Sequence, residues 1–175
     1  GDHRDLHLCL RRQRQMCIRD RCIIMALGAH RPMTRQDCLK KLGGKIIRDI
    51  VVHNHCPYDN LNTLGVSTRG TPVRINRFFM ESELRIGVGC VVPHSTAGFG
   101  GGGKIVLPGI AGIESLEANH KPAMVGFDGK SSGGIGIVEG NENRADIEEV
   151  ARRVGLDVVV NCVVNSERGI AGIYV

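Results

Sequence analysis

Seven residues ending in a lysine, "GFGGGGK" from Gly98 to Lys104, are the part of this 175-residue sequence best equipped for chemistry. Read as G-x-x-x-x-G-K, the run has the spacing of a phosphate-cradling loop, in which backbone N–H groups and a lysine surround a polyphosphate. That motif needs a Ser or Thr next to ligate magnesium, whereas Ile105 follows here, and Pro108-Gly109 argues against a long helix behind the loop. The same residues satisfy G-x-G-x-x-G through Gly98, Gly100 and Gly103, but a dinucleotide turn follows directly on a strand, and the preceding apolar run stops at Val92. A glycine tract can also be a flexible connection and nothing more. Against that stand Phe99 and a lysine leading straight into "IVLPGIAG", neither of which flexibility calls for.

Histidines are the other candidate groups, because an ordinary pKa of about 6.5 lies near neutrality and imidazole nitrogens ligate metals. His30 stands just beyond the apolar run "CIIMAL", His94 just beyond "LRIGVGCVV", and His120 closes "IESLEANH". A loop histidine is ordinarily satisfied by backbone carbonyls, and one after a helix ordinarily caps it, so position alone gives none of them a role. "HNHC", residues 53–56, invites a zinc reading, yet structural zinc takes four ligands in paired spacing and no second pair is evident. His55 reads mainly as a structural loop residue. Arg69 and Arg74 carry the fork that meets a carboxylate or phosphate, but hairpin arginines are ordinarily solvated and neither is assigned.

The elements that must position these groups follow from hydrophobic pattern and turn chemistry. "CIIMAL", residues 22–27, ends at Gly28 and reads as a buried strand delivering "GAHRPMT" to its carboxyl end. Thr34 and Asp37 have capping-box-like spacing, and Cys38, Leu39 and Leu42 make a helical stripe that stops at Gly43-Gly44. "DIVVHN", "LNTLGVST" and "TPVRIN" read as strands, with a hairpin around "STRGTP", where Gly70 permits positive φ and Pro72 suits a strand start or edge. "LRIGVGCVV", residues 84–92, is apolar on both faces and reads as a central buried strand. "IESLEANH" reads as a short helix or turn, and residues 121–140, rich in Gly and Ser, as a surface loop. Ile147, Val150, Ala151 and Val154 recur at i, i+3, i+4 and i+7, which predicts a helix over 145–154 with Gly155 at its cap. "LDVVVNCVVN" and "GIAGIYV" then read as two strands joined by "SERG". Strands alternating with helices predict an α/β fold: a mixed, mainly parallel sheet flanked by helices, with ligand groups in loops after strands.

Composition narrows the classes. A hydrophobic content of 42% suits a globular core, and with aromatics at 3% and no Trp that core must rest on Ile, Val and Leu. Of the net charge of +5, residues 1–22 hold +3 through Arg4, Arg11, Arg12, Arg14, Arg19 and Arg21 against Asp2, Asp5 and Asp20, leaving +2 elsewhere. The basic arm lacks the aromatic interleaving of a single-strand binder and the apolar stripe of an interfacial helix, so neither nucleic acid nor membrane is expected as a partner. Residues 1–22 are expected to be a non-native or disordered leader. The 7 cysteines form no C-x-x-C pair and are odd in number, which fits a reducing cytoplasm. No apolar run reaches the roughly 18 residues of a membrane span and no signal-peptide pattern occurs.

In order along the chain, "HRPMT", "PHSTAGFGGGGKIVLPGIAG", the "NH" of residues 119–120 and "GNENRADIEEVARRVGLD" resemble the amino-terminal domain of nickel-dependent lactate racemases, over residues 23–175. In that family a histidine precedes the cofactor lysine by ten positions, as His94 precedes Lys104, and a metal histidine follows it by sixteen, as His120 does. Gly100 and Gly103 stand where relatives commonly carry Ser and Ala. The resemblance implies racemisation or epimerisation of a small 2-hydroxy acid by proton-coupled hydride transfer. It implies nickel held in a pyridinium-3,5-bisthiocarboxylic acid mononucleotide, with Lys104 as covalent anchor, His120 as metal ligand, and His30 and His94 as acid/base groups. Gly98, Phe99, Gly101 and Gly102 would line the cofactor, and cofactor-synthesis proteins would be partners. It also implies that residues 23–175 are a partial catalytic domain whose second domain is absent. The alternatives left open are a P-loop-like nucleotide or phosphate binder and a non-catalytic homologue.

Overall fold

The structure is a computed structural model that describes residues 21–124, 132–167 and 169–175. Nearly all of the expected leader, and residues 125–131 of the expected surface loop, lie outside the described residues. The described residues divide into two compact units, one of residues 21–23 with 34–53 and one of residues 24–33 with those from 54 onward.

In the smaller unit, helix α1 (Arg35–Leu42) starts where the sequence says it must. Thr34 Oγ1 accepts the Asp37 N–H at 3.2 Å, and the Asp37 carboxylate accepts the Thr34 N–H at 2.9 Å, a reciprocal capping box. Gly43, at φ 82°, ends α1 and opens the short α2 (Gly44–Asp49). Of the stripe on α1 only Cys38 is buried. An open depression of about 380 Å³ is lined by Arg35, Arg48, Asp49 and apolar residues between 47 and 52, and contains none of the candidate site residues.

The larger unit takes in the end of strand β1 (Cys22–Met25) and of β2 (Val51–Asn54). A hairpin follows, β3 (Leu61–Val66) antiparallel to β4 (Pro72–Asn76), with a bulge between Thr63 and Val66. Gly70, at φ 84°, supplies the turn's positive φ. After the single turn α3 (Arg77–Met80), strand β5 (Ile86–Val91) pairs in parallel with β8 (Val158–Val164), and β8 pairs antiparallel with β9 (Ile170–Tyr174). Between β5 and β8 come the two-residue pair β6 (Pro93–His94) and β7 (Gly98–Phe99), a 3₁₀ turn over Gly102–Ile105, helix α4 (Ile113–Met124) and helix α5 (Glu142–Arg153).

The core lies where the α5 stripe meets the hairpin and the segment after the glycine loop. Ile147, Val150, Ala151 and Val154 pack with Val73 and Ile75 of β4 and with Val106, Leu107, Ile110 and Ala111. Each fully buried Val, Leu or Ile contributes about 1.5–3 kcal/mol relative to exposure. The aliphatic core expected from an aromatic-poor composition is therefore what forms.

Three local expectations and the sheet arrangement need correction. Helix α5 starts at Glu142 because Asn141 caps it, its side-chain oxygen accepting the Arg144 N–H at 3.0 Å. Helix α4 continues through His120, which therefore lies inside a helix and not after one. Strand β5 is not buried on both faces: Gly87 and Gly89 turn toward the Ile105 side chain, while Ile86 and Val88 on the other face are 53% and 74% exposed. Strand β8, not β5, is the middle strand of the three-stranded sheet, which is mixed, β5–β8 being parallel and β8–β9 antiparallel. In place of one mainly parallel sheet the described residues form small separate sheets, of which β3–β4 and β6–β7 are antiparallel pairs. A one-residue-in-two glycine pattern explains the misreading: with no side chains at 87 and 89, one face of the strand is bare backbone. Among the described residues no helix is long and apolar enough to cross a membrane.

Candidate functional site

The glycine loop is shaped first by its own chain. Gly98, Gly101 and Gly102 all have positive φ, at 76°, 70° and 55°. A Cβ on Gly98 would collide with the Ile137 carbonyl, and one on Gly101 would lie 2.6 Å from Asn161 Oδ1. That same Asn161 oxygen accepts the Gly102 N–H at 3.2 Å, and Gly100 donates its N–H to the Val92 carbonyl at 2.7 Å. Gly103 rests on α5, where a Cβ would come within 3.0 Å of Ile147 Cγ2 and 3.1 Å of Ala151 Cβ. Arg144 of α5 donates from Nη1 to the Phe99 carbonyl at 3.0 Å and pairs through Nη2 with Glu148 at 2.7 Å.

Lys104 sits in the 3₁₀ turn that this packing fixes and is partly buried. Its amine is held below the ordinary lysine pKa, chiefly by desolvation and further by the Arg144 guanidinium. The turn is four residues long and no α-helix starts there, so the lysine does not lead into the long helix that a phosphate-cradling loop requires.

His120 and His94 each have one ring nitrogen committed. His120 Nδ1–H donates to the Leu116 carbonyl at 2.9 Å, one turn back in α4, which leaves the Nε2 lone pair for another partner. His94 is the reverse. Its Nδ1 accepts the Ala97 N–H at 3.2 Å and the Thr96 N–H at 3.3 Å, so in the neutral ring the proton resides on Nε2. Burial pushes the His120 pKa down, the Leu116 hydrogen bond opposes this, and the Lys104 charge adds to it. Burial likewise lowers His94, followed by the charges of Lys104 and His120. His94, Lys104 and His120 are thus each partly desolvated, with the Lys104 charge acting on both histidines and that of His120 on His94, in surroundings that disfavour further positive charge.

His30 is exposed. Its loop is anchored where Gly28 donates to the Gly109 carbonyl at 2.8 Å and approaches Pro108 and Leu116, placing it beside the segment that joins Lys104 to His120. The charges that act on His94, Lys104 and His120 do not include His30. His55, 2% exposed, donates from Nε2 to the Ala111 carbonyl at 2.9 Å and accepts from Asn76 at Nδ1, so both nitrogens are engaged in holding the chain before α4. Arg69 pairs with Glu149 at 3.6 Å, and Arg74 with Glu114.

Reading the sequence for chemistry misses the residues that support the site. These are Asn161 and Arg144 around the glycine loop, and a buried polar cluster of Ser67, Thr71, Asn119, Asn143 and Asp146 behind α4. A signal is present: Asn143 lies one turn before Ile147 and Asp146 one turn before Val150, so both extend the buried stripe of α5, and polar residues on a core-facing stripe must find partners.

A family model described as the lactate racemase N-terminal domain matches residues 2–133. A lactate racemase of Thermoanaerobacterium thermosaccharolyticum is 30% identical over 154 residues, covering 87% of this chain and 35% of the relative. One from Lactiplantibacillus plantarum is 31% identical over 154 residues, covering 87% of this chain and 36% of the relative. Among solved structures, the lactate racemase apoprotein from T. thermosaccharolyticum superposes with a TM-score of 0.83 at 28% identity, covering 97% of this chain and 41% of that one. A protein from Thermotoga maritima gives 0.72 at 26% identity, covering 86% and 40%. The chain spans 35 to 41% of the length of these proteins. With the match covering well over half of its residues, the chain belongs to the lactate racemase N-terminal domain family.

Proposed function

We propose that the chain is the cofactor-holding part of a cytoplasmic racemase or epimerase of a small 2-hydroxy acid, most simply lactate. In this reading Lys104 anchors a nickel-pincer nucleotide covalently, His120 ligates its metal, and His94 and His30 exchange protons with substrate. The observation that supports it most is the convergence of His94, Lys104 and His120, whose charges act on one another across ten and sixteen positions of sequence.

The residues fit such a group. His120 keeps an Nε2 with no hydrogen-bond partner among the described residues, and imidazole is a suitable donor to nickel. Lys104 is a desolvated amine with no carboxylate partner among the described residues, so its neutral, acylatable form is more accessible than in a free lysine. When bound, the group would supply a hydride acceptor, sparing the chain a carbanion at a weakly acidic C–H.

The chain's own part is positioning and proton handling. Neutral His94 carries its proton on Nε2 and is therefore set to hydrogen-bond a substrate oxygen, giving up a proton only once it has become imidazolium. Taking up a proton requires its Nδ1 to give up the Thr96 and Ala97 N–H groups, so a small shift of the His94–Ala97 turn accompanies the base half of the reaction. His30, on its exposed loop, would serve the opposite face. General acid–base catalysis of this kind is worth about 10²- to 10⁴-fold.

Cofactor loading tests the reading. The purified chain, mixed with the nickel-pincer nucleotide that cofactor-synthesis proteins make, should gain its mass on Lys104 less the one water expelled as amine and thiocarboxylic acid condense to a thioamide, and fail to do so as Lys104→Ala. Absence of the adduct where a full-length relative acquires it would sink the reading and leave a non-catalytic homologue. Turnover by the chain alone should be weak or nil, because the relatives are more than twice its length; robust turnover would contradict that part.

A further inference from the structure

Helix α5 carries none of the candidate site residues, yet both anchoring residues of the proposed site are built on it. The Lys104 turn rests on it through Gly103 against Ile147 and Ala151, and through Arg144 to the Phe99 carbonyl. The middle of α4 is fastened to it by Asn119, which is 2% exposed and directly precedes His120. Asn119 Nδ2 donates to Asp146 Oδ2 at 2.8 Å, and Asn143 Nδ2 donates back to Asn119 Oδ1 at 2.8 Å and to the Asn119 carbonyl at 2.8 Å.

Asp146, also 2% exposed, is the hub. Its Oδ1 accepts Ser67 Oγ–H at 2.6 Å, and its Oδ2 accepts Thr71 Oγ1–H at 2.7 Å as well as Asn119. Three donors on two oxygens is a pattern that an acceptor-only carboxylate satisfies and an amide, with its own N–H₂, cannot. The turn of the β3–β4 hairpin and helix α4 are thereby locked to the same point of α5 that supports the lysine loop.

We propose that Asp146 is a positioning residue that sets the spacing between His120 and Lys104, so that one ligand tethered at the lysine is also held through the imidazole. The proposal rests on the nickel-pincer reading of the site. Outer partners that orient a metal ligand typically change metal affinity about 10- to 100-fold when removed, and Asp146 acts through Asn119 in that way.

The test compares Asp146→Asn, Thr71→Val and Ser67→Ala with wild type, using Val154→Ala as a control: Val154 is buried two turns further along α5. Each chain is loaded with the nickel-pincer nucleotide; intact mass reports the Lys104 adduct, and release of nickel to EDTA reports its hold. Asp146→Asn should keep the adduct and lose nickel about 10- to 100-fold more readily, with smaller changes for Thr71→Val and Ser67→Ala and none for Val154→Ala at matched loss of Tm. Nickel retention by Asp146→Asn within twofold of wild type, or equal loss from the control, overturns the proposal. If Asp146→Asn does not fold, the two hydroxyl variants decide, and unchanged retention in both overturns it. Failure of wild type to form the adduct sinks the pincer reading separately. Asp146 is then judged by ¹⁵N NMR of the His120 ring in the ligand-free chain: the Nδ1–H tautomer of wild type should become mixed in Asp146→Asn, and an unchanged tautomer overturns the role.

Discussion

Replacing Gly98 by alanine separates what the glycine loop owes to its own fold from what it owes to a ligand. At φ 76° the new side chain would occupy a left-handed conformation, costing roughly 1–2 kcal/mol. Its Cβ would also lie 2.9 Å from the Ile137 carbonyl carbon and closer still to the oxygen, both of them backbone. Overpacking of that kind costs about 1–3 kcal/mol, giving about 2–5 kcal/mol together, less the several tenths gained by stiffening the unfolded chain. At about 2–4 °C per kcal/mol for a chain of this size, the midpoint is a Tm lowered by about 10 °C. Gly140→Ala is the matched control, with φ 71° and nothing within 4 Å of the new Cβ, so it carries the conformational cost alone. Thermal melts followed by circular dichroism, without any ligand, should show Gly98→Ala losing about twice as much as Gly140→Ala or more. Equal losses would refute the collision with Ile137, and a Gly98→Ala melt within a degree of wild type would refute the structural origin of the glycine altogether.

Three further outcomes rest on the same geometry. Because burial and Arg144 lower the Lys104 pKa, competitive acetylation read by peptide mass should inflect at lower pH at Lys104 than in a free lysine, and Arg144→Gln should move that inflection up; an inflection at the free-lysine position would contradict the burial argument. Burial lowers the folded-state pKa of His55 below its unfolded value of about 6.5. Its stabilising contribution is therefore complete above that pH and is lost as pH falls toward the folded pKa, so Tm should drop on acidification and His55→Gln should flatten the slope between pH 7 and 5, whereas an unchanged slope would exclude it. Titration with magnesium and ATP should show no binding that depends jointly on magnesium and Lys104, since Ile105 offers no hydroxyl and no long helix begins at the lysine; such binding would revive the phosphate-loop reading.

Local rules carry the secondary structure a long way. The Thr34–Asp37 box, the Gly70 turn and the α5 stripe each rest on chemistry confined to a few neighbouring residues, and each forms as the pattern requires. Strand β5 is misleading because alternation of apolar residues with glycine looks like two apolar faces until the packing shows one face to be bare backbone against Ile105. The length of α4 is hidden because Pro122 and the glycines beyond it read as loop, whereas the helix persists past His120. That difference matters chemically. Inside a helix, His120 finds the Leu116 carbonyl one turn back, and this bond, which no spacing rule announces, frees Nε2.

The candidate site is legible as residue types and offsets, but its support is not, because support is long-range. Asp146 meets Ser67 and Thr71 from more than seventy positions away, and Asn161 reaches the Gly102 N–H across fifty-nine. Such partners leave only an indirect trace in sequence, as polar residues on stripes or strands that should be apolar. The glycines show the opposite bias. A run of them near a lysine invites a ligand as the explanation, yet Gly98, Gly101 and Gly103 are each required by atoms of this chain: the Ile137 carbonyl, the Asn161 amide and the α5 surface. A loop held this way by its own chain would keep its shape with nothing bound, which would lower the ordering cost of binding the proposed ligand and leave its specificity to the basic side chains proposed for the site.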